Sequence, residues 1–456
     1  MKNDKRLAFI LVSLLCLGAT WYCQSPKIFD QYAFTGDLRA NVYWMERARN
    51  PERFKDDLLA DFNSAFANPL LIGLYRVTDF LDIKLVSELL AFPLCWITVF
   101  FLFRLGYAIK GTPCAFWTSL LFILFVWYEP EFDYFGVGNA GDFVLPLTAA
   151  FLYYFYSKNS LAMAIVLLLQ AFFYPPIFLI CLFCFLWTTF SRFQTKKLVI
   201  LLIVVAFSFP TLFSSKHKRV QKFGETYTLK EMKNMEEFRG NGGRLPLLYP
   251  NISERIFNDR SGIGRLDGSL GPLLILFFLF LFVFIVIKKK PPGVDPPIMI
   301  VFIVSVLFFV AANVFMLKLF EPSRYMLFTL PLILILLISK MFSEIVGTFS
   351  HIQSKIILSI VFVFFGFFLF PIGPQYRKIN DAPLFQFIAS LPQDSFIAGD
   401  PFIMDDIPLL SKRKVYLSHE SSLPYFRKYN EEIRRRTLDL FKAYYCRSFN
   451  DLLEFS

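Results

Sequence analysis

Long apolar runs recur along most of the chain, and they constrain its fold more than any other feature. Each is close to the length that a helix needs to cross about 30 Å of hydrocarbon. They lie near residues 7–23, 84–108, 114–128, 143–157, 160–174, 175–190, 197–213, 271–287, 297–317, 324–340 and 355–372. The sequence therefore predicts an all-α polytopic membrane protein with about eleven transmembrane helices.

The composition excludes a soluble domain and argues against a nucleic-acid-binding protein. Hydrophobic residues make up 56% of the 456 residues, more apolar surface than a soluble core could bury. The net charge is +11, but Lys and Arg stand mostly in short connectors between apolar runs and in the polar segments. That distribution is typical of membrane orientation. We expect the lipid bilayer, and no nucleic acid, as a partner.

The stretch 160–190 is the most ambiguous part of the span count. It could form one long tilted helix or two shorter ones separated at Pro175-Pro176. Proline removes a backbone donor and restricts the residue before it, so the pair favours two helices.

Basic residues indicate the orientation of the spans. With the N-terminus in the cytoplasm, every predicted inside connector is basic, whereas the short outside connector 129–142 carries four carboxylates and no Lys or Arg. This satisfies the positive-inside rule. A ten-span arrangement would break the alternation, which supports two helices at 160–190.

Three polar segments then fall on the outside, at about 24–83, 214–270 and 373–456. In the last, the pattern predicts a helix at 381–391, strands at 395–399 and 414–418, and a helix at 425–445. We therefore divide the chain into a transmembrane domain, 1–372, and a small extracytoplasmic α/β lobe, 373–456.

The first outside segment contains the run Thr35-Gly36-Asp37-Leu38-Arg39 soon after the first span. A carboxylate there stands at the membrane surface, where a lipid-linked substrate would present its head group. Asp37 also opens a predicted helix, so it could equally serve as a helix N-cap. Catalysis and capping both stay open, and Arg39 is a candidate for substrate binding.

The second outside connector contains Glu131 and Asp133, two residues apart. In an extended loop this spacing puts both carboxylates on one side, where they could share a divalent cation or bind a cationic partner. The alternative is a solvated acidic pair. No His or Cys spacing typical of a metal site occurs.

Arg324 and Tyr325 follow Glu321-Pro322-Ser323, where an outside connector enters the tenth span. An Arg at a helix start can bind a phosphate through two parallel N–H bonds. It could instead extend to lipid head groups or pair with Glu321.

Taken together, the first span, the large first loop with an early Asp, the many spans, the late Arg-Tyr pair and the outside α/β tail resemble the GT-C class of polyprenyl-phosphate-dependent glycosyltransferases. The similarity is to the protein O-mannosyltransferase and aminoarabinose-transferase type and to uncharacterised bacterial relatives. Its local motifs are short.

The resemblance implies a transferase that moves a sugar from a polyprenyl-phosphate donor to an acceptor glycan, lipid or protein outside a bacterial inner or plasma membrane. Asp37 matches the first-loop Asp that acts as base, although Asp30, Asp56, Asp57 and Asp61 share the segment. Glu131 and Asp133 match a second acidic motif, and Arg324 matches an Arg that binds the lipid phosphate.

Two other functions fit the sequence. A lipid or polysaccharide transporter or flippase should carry ionisable residues along a pathway inside its spans, where this chain has few, Glu88 being the clearest. An envelope-glycan polymerase or ligase would rely on the Arg and His residues of segment 214–270, and a non-catalytic membrane protein that keeps this architecture is also open.

Overall fold

The structure, a computed structural model, describes residues 2–128, 134–191, 195–240, 242–268, 270–369, 373 and 376–446. Helices dominate it. The long ones are Lys2–Phe29, Ile83–Val126, Val144–Tyr156, Ser160–Phe173, Pro175–Ser191, Thr195–Phe223, Leu270–Lys288, Pro296–Phe315, Leu330–Val346 and Ile352–Leu369. Each coincides with one or two of the predicted apolar spans.

Five helical segments of the described chain are long and apolar enough to cross a membrane. They are Asp4–Phe29, Ile83–Val126, Leu270–Lys288, Pro296–Leu319 and Pro322–Val346. Two further apolar helices, Ser160–Phe173 and Pro175–Ser191, are shorter. The chain is therefore an integral membrane protein, while the count of eleven spans stays a prediction.

The segment Ile83–Val126 contains two helices rather than one. At 44 residues it would extend about 66 Å if straight, roughly twice the hydrocarbon thickness. The backbone leaves the helical region at Lys110 and Gly111, where Gly111 has a φ of +76°. Glycine adopts this φ without a steric penalty. The predicted boundary between spans 84–108 and 114–128 is thus confirmed.

The proline pair also separates two helices, as predicted. Helix Ser160–Phe173 ends, Tyr174 has an extended backbone (φ −148°, ψ 87°), and the next helix begins at Pro175.

Helix Leu330–Val346 occupies the centre of the helical assembly. The segment that contains it is 89% buried, whereas Leu270–Lys288 is 33% buried and exposes Phe278 and Phe282. Helix Lys2–Phe29 packs along Ile83–Val126, which also contacts Val144–Tyr156. Exposed apolar side chains on the outer helices are what lipid contact requires.

Short elements fill the polar segments. The α-helices are Leu38–Asn41, Glu46–Arg49, Leu58–Ser64, Pro69–Val77, Leu229–Met232, Ile252–Ile256, Ala382–Ser390, Pro401–Met404, Ile407–Leu410 and Arg427–Tyr444. The 3-10 turns are Tyr43–Met45, Ala140–Phe143, Glu236–Phe238, Met316–Leu319 and Pro322–Tyr325. The predicted elements of the tail are present, at 382–390, 396–397, 414–415 and 427–444.

Two pairs of short strands tie distant parts of the chain together. Ala33–Phe34 pairs antiparallel with Arg377–Lys378, with Ala33 opposite Lys378. Phe396–Ile397 pairs parallel with Lys414–Val415. The first pair joins the first polar segment to the tail.

The three polar segments share one hydrophobic core. Phe62 of the first segment stacks on Tyr429 of the tail, with ring centroids 3.9 Å apart, and meets Phe223 at 5.7 Å. Leu247 of the middle segment lies in the same cluster. The segments therefore form one assembly over the helices, and a separate C-terminal lobe stays a prediction.

Candidate functional site

Asp37 lies at the start of helix Leu38–Asn41, just after the strand Ala33–Phe34. The residues on either side are fixed in the interior. Phe34, Thr35 and Leu38 are fully buried, whereas the Asp37 side chain is exposed. The local fold thus presents one carboxylate from an otherwise buried turn.

The Asp37 carboxylate does not cap its helix. Its backbone adopts the helical region (φ −74°, ψ −18°), and its side chain accepts no capping hydrogen bond. In the described part of the chain, no hydrogen bond or ion pair joins this carboxylate to another residue. Of the two roles that the sequence left open, capping is excluded by this geometry.

The four Asp residues that compete with Asp37 as candidates have different surroundings. Asp30 pairs with Lys378 at 3.0 Å, Asp57 caps helix Leu58–Ser64, and Asp61 lies 2.5 Å from Arg47. Asp56 is exposed and stands in the turn before Asp57. These three pairings are structural, which leaves Asp37 as the best-placed candidate base.

Two arginines share one buried carboxylate near Asp37. Glu321 is fully buried, and its Oε1 accepts from Arg260 Nη1 at 2.7 Å while its Oε2 lies 2.9 Å from Arg324 Nη2. The Tyr425 hydroxyl donates to the same Oε1 at 2.5 Å. Burial alone would raise the pKa of Glu321, but Arg260 and Arg324 lower it to about 2. The site thus contains two positive charges for one negative charge.

A tight turn holds Arg260 against the entrance of the next helix. Asn258 Oδ1 accepts from the backbone N–H groups of Arg260 and Ser261, at 3.0 and 2.8 Å. The Arg260 carbonyl then accepts from the Ser323 N–H at 3.1 Å. Segment 214–270 and the start of the tenth predicted span are joined at this point.

Charged groups from distant parts of the chain surround Asp37. Its side chain is accessible, yet protein surrounds it closely enough that desolvation raises its pKa. Glu420 raises the pKa further, while Arg260, Arg324 and Arg39 lower it. A carboxyl group with a raised pKa is a better proton acceptor when ionised than an ordinary aspartate.

Arg39 joins the first segment to the tail instead of facing open space. It is 7% exposed, with ion pairs to Asp406 at 3.2 Å, Glu420 at 2.9 Å and Asp405 at 3.5 Å. Burial raises the pKa of Asp405 to about 6, although Arg39 opposes this shift. Arg39 therefore links the first segment to the tail close to Asp37, and its predicted role in substrate binding stays a prediction.

Arg244 extends the same network from the middle segment. Its Nε donates to the His419 carbonyl at 2.8 Å, and its Nη2 lies 3.3 Å from Glu420 Oε2. Burial and the Arg244 charge lower the pKa of His419, which stacks on Phe402. All three polar segments thus supply charged groups near Asp37.

Tyr325 is buried against Leu319 and Phe308. It is 1% exposed, donates to the Leu319 carbonyl at 2.7 Å and stacks on Phe308 at 5.5 Å. These contacts fix the chain on either side of Glu321. The prediction that Tyr325 binds substrate therefore gains no support from its position.

Glu131 and Asp133 lie outside the described residues. Within the ranges that are described, no group of three or more His, Cys, Asp or Glu side chains is arranged to hold a metal ion. The cation site therefore stays a prediction.

Sequence reasoning overlooked four residues of the site: Arg260, Tyr425, Glu420 and Arg244. The arginines belong to the basic residues noted for segment 214–270, but nothing in the sequence distinguishes them from their neighbours. Tyr425 stands 104 residues from Glu321, so their hydrogen bond has no local signal.

No protein-family model matches the chain, and no curated protein matches its sequence. A solved structure does match. It is the oligosaccharyltransferase of Archaeoglobus fulgidus in complex with Zn and sulfate, a GT-C glycosyltransferase. The match has a TM-score of 0.53 and 8% sequence identity and covers 90% of this chain.

The chain therefore has an oligosaccharyltransferase-like fold, and the resemblance predicted from the sequence is confirmed at the level of fold. At 8% identity the likeness concerns the fold alone. The chain spans 62% of the length of that oligosaccharyltransferase.

Proposed function

We propose that the protein is a membrane glycosyltransferase that moves a sugar from a polyprenyl-phosphate donor to an extracytoplasmic acceptor. One observation carries the proposal: the carboxylate of Asp37, which is accessible and has no partner among the described residues, lies close enough to Arg260 and Arg324 for their charges to lower its pKa. A base opposite a phosphate-binding group is what this transfer requires. The oligosaccharyltransferase-like fold supports a reaction of this kind.

The donor would bind with its phosphate at the arginine pair. A sugar phosphodiester carries one negative charge, and Arg260, Arg324 and Glu321 together carry one positive charge. The polyprenyl phosphate that leaves gains a second negative charge. The arginines therefore stabilise the departing group more strongly than the bound donor, which is the condition for catalysis.

The acceptor hydroxyl would be activated by Asp37. As its oxygen forms a bond to the anomeric carbon, its proton moves to the Asp37 carboxylate, and the bond from that carbon to the phosphate oxygen breaks. The electron pair leaves on the phosphate, so no strong general acid is needed. A single displacement of this kind inverts the anomeric centre.

The proposal places the reaction on the outer face of a bacterial inner or plasma membrane. The N-terminus would be cytoplasmic and the tail outside, with eleven spans between them, as the positive-inside rule indicates. The acceptor would be an envelope glycan, a glycolipid or a protein. No step depends on a cation at Glu131 and Asp133.

A complementation experiment tests the proposal. Envelope glycans and glycolipids are compared by mass spectrometry in a deletion strain carrying wild type, Asp37→Asn or Asp56→Asn. We expect the deletion to lose one sugar mass, which wild type and Asp56→Asn restore and Asp37→Asn does not. Asp56 is the matched control because it is exposed in the same segment.

The result is interpreted only for variants that accumulate equally in the membrane. Full restoration by Asp37→Asn would refute the role of this residue as base. A change in glycan chain length without loss of a sugar would favour the polymerase or ligase, and an unchanged set of glycans would argue against a transferase.

A further inference from the structure

A buried ion pair lies beneath the Asp37 turn. Lys27, in the last turn of helix Lys2–Phe29, has its Nζ 3.5 Å from Oε2 of Glu88 in helix Ile83–Val126. The two side chains are 2% and 0% exposed. Burying two charges costs several kcal/mol each before they attract one another, so such pairs inside membrane proteins are rare and usually functional.

Lys27 is joined directly to the turn that carries Asp37. Its Nζ donates to Thr35 Oγ1 at 2.9 Å, and Thr35 is fully buried. Thr35 is two residues before Asp37, which limits the distance between their Cα atoms to about 7 Å. A shift at Thr35 is therefore transmitted to the Asp37 backbone.

Two other residues, Lys84 and Gly136, also contact the region around the Lys27–Glu88 pair. Lys84 Nζ donates to the carbonyls of Lys27 and Asp30, so the chain between the first span and the turn is fixed. Gly136, at φ +85°, lies against the pair, where a Cβ would come within 3.0 Å of Glu88 Oε2. The connector that follows residues 129–133 thus closes over Glu88.

A third polar group completes the cluster. Gln24 is fully buried one turn before Lys27, and neither atom of its amide has a hydrogen-bond partner within the described ranges. A Cβ on Gly136 would lie 3.1 Å from Gln24 Nε2. Burying three polar side chains costs more free energy than packing apolar side chains in the same place. This cost indicates that the cluster has a role in the function of the turn.

We propose that the Lys27–Glu88 pair is a positioning device that fixes the Asp37 turn, and with it the Asp37 carboxylate, through Thr35. This inference rests on the proposed function, in which Asp37 is the base. A base acts only within hydrogen-bond reach of the acceptor hydroxyl, and a displacement of about 1 Å can lower a rate by about 100-fold. Glu88 fixes the Lys27 ammonium by an ion pair, and the ammonium donates a hydrogen bond to Thr35. Thr35 in turn fixes the backbone that leads to Asp37.

The test removes one oxygen atom from this chain of contacts. Thr35→Val deletes the acceptor for Lys27 and keeps the shape of the side chain, while Thr35→Ser keeps the hydroxyl. Full-length protein in lipid nanodiscs is labelled with a water-soluble carbodiimide and glycine ethyl ester from about pH 4 to about pH 8, a range above the ordinary aspartate pKa. Peptide mass spectrometry then measures the labelling of Asp37 against Asp56.

We expect Thr35→Val to change the labelling of Asp37 at least about threefold and to reduce the sugar transferred in cells about tenfold or more. Thr35→Ser should match wild type in both measurements, and the labelling of Asp56 should not change in either variant. A general loss of folding would alter both carboxylates.

A second variant removes the charges together. Replacing both partners of a buried pair is tolerated better than replacing one, so Lys27→Met with Glu88→Gln should accumulate normally and label like Thr35→Val. Wild-type labelling of Asp37 in both variants would overturn the positioning role, even if transfer depends on Asp37. Altered labelling combined with full transfer by Asp37→Asn would instead refute the base and with it the proposed function.

Discussion

At the scale of single residues, the carboxylates of the site differ in whether they form ion pairs with arginines. Glu321 and Asp37 are both surrounded by protein, but Glu321 holds two arginines and Asp37 holds none. Their pKa values move in opposite directions for this reason: that of Glu321 is lowered and that of Asp37 is raised. Glu321 joins the two arginines, and under the proposed function Asp37 is the carboxylate that accepts the proton of the acceptor hydroxyl.

Glu321→Gln should destabilise the protein more than Tyr425→Phe. The first change leaves two partly buried arginines without their shared carboxylate, a loss of about 2–4 kcal/mol. The second removes one hydrogen bond to Glu321, worth about 1 kcal/mol. Because the pKa of Glu321 is lowered, its contribution is complete at neutral pH and is lost as the pH falls towards about 2.

Thermal unfolding in detergent at neutral pH checks the order of these two effects. The midpoint should fall clearly further for Glu321→Gln than for Tyr425→Phe. Equal midpoints for the two variants would show that the arginines do not depend on Glu321.

The sequence allowed part of the site to be predicted. Asp37 could be named as a candidate base because it lies soon after the first span and matches the first-loop Asp of the family that the chain resembles, but the choice among five candidate Asp residues needed their partners. Those partners lie far along the chain: Lys378 for Asp30, and Lys222 for Asp61. Arg260 was not recognisable for the same reason, since its partner Glu321 is 61 residues away.

At the scale of elements, the apolar runs predicted where the long helices lie. They predicted less accurately the residues at which those helices end. The run 197–213 is followed by polar residues, yet the helix continues to Phe223. It does so because Phe223 is buried against Phe62 and Tyr429, from the first and third polar segments. In the first segment the sequence predicts one helix at about 38–49, but the structure divides it into two short α-helices and a 3-10 turn, with Val42 at a φ of −116°.

Phe62→Ala should loosen the assembly of the three polar segments. Phe62 is 1% exposed and stacks on Tyr429, so truncation should cost about 3–5 kcal/mol. Phe66→Ala, on the exposed side one turn later, should cost about 1 kcal/mol. Hydrogen exchange of peptides from 427–444 measures the difference, and equal exchange in the two variants would contradict a shared core.

At the scale of the whole molecule, the three polar segments pack together, which requires them to lie on one side of the membrane. This agrees with the orientation predicted from the basic connectors. Composition and run length suffice to predict a polytopic membrane protein, but the packing of segments hundreds of residues apart arises only on folding.

Single cysteines test this arrangement. Lys55, Asp394, Lys158 and Lys289 are exposed, and each is replaced by Cys in a Cys446→Ser background, where the remaining cysteines are buried. A membrane-impermeant maleimide should label Lys55→Cys and Asp394→Cys on intact cells, and Lys158→Cys and Lys289→Cys only after permeabilisation. Labelling of Lys55→Cys and Asp394→Cys from opposite sides would contradict the shared assembly.

The central claim is that the protein uses a polyprenyl-phosphate sugar as donor with Asp37 as base. The amount of that lipid in cells tests the claim most directly. Lipid extracts of the deletion strain, complemented with wild type, Asp37→Asn or Asp56→Asn, are analysed by liquid chromatography and mass spectrometry. We predict that one polyprenyl-phosphate sugar accumulates in the deletion and in Asp37→Asn and returns to its normal level with wild type and Asp56→Asn. Equal pools of every lipid-linked sugar in all strains, despite loss of a glycan, would contradict the account.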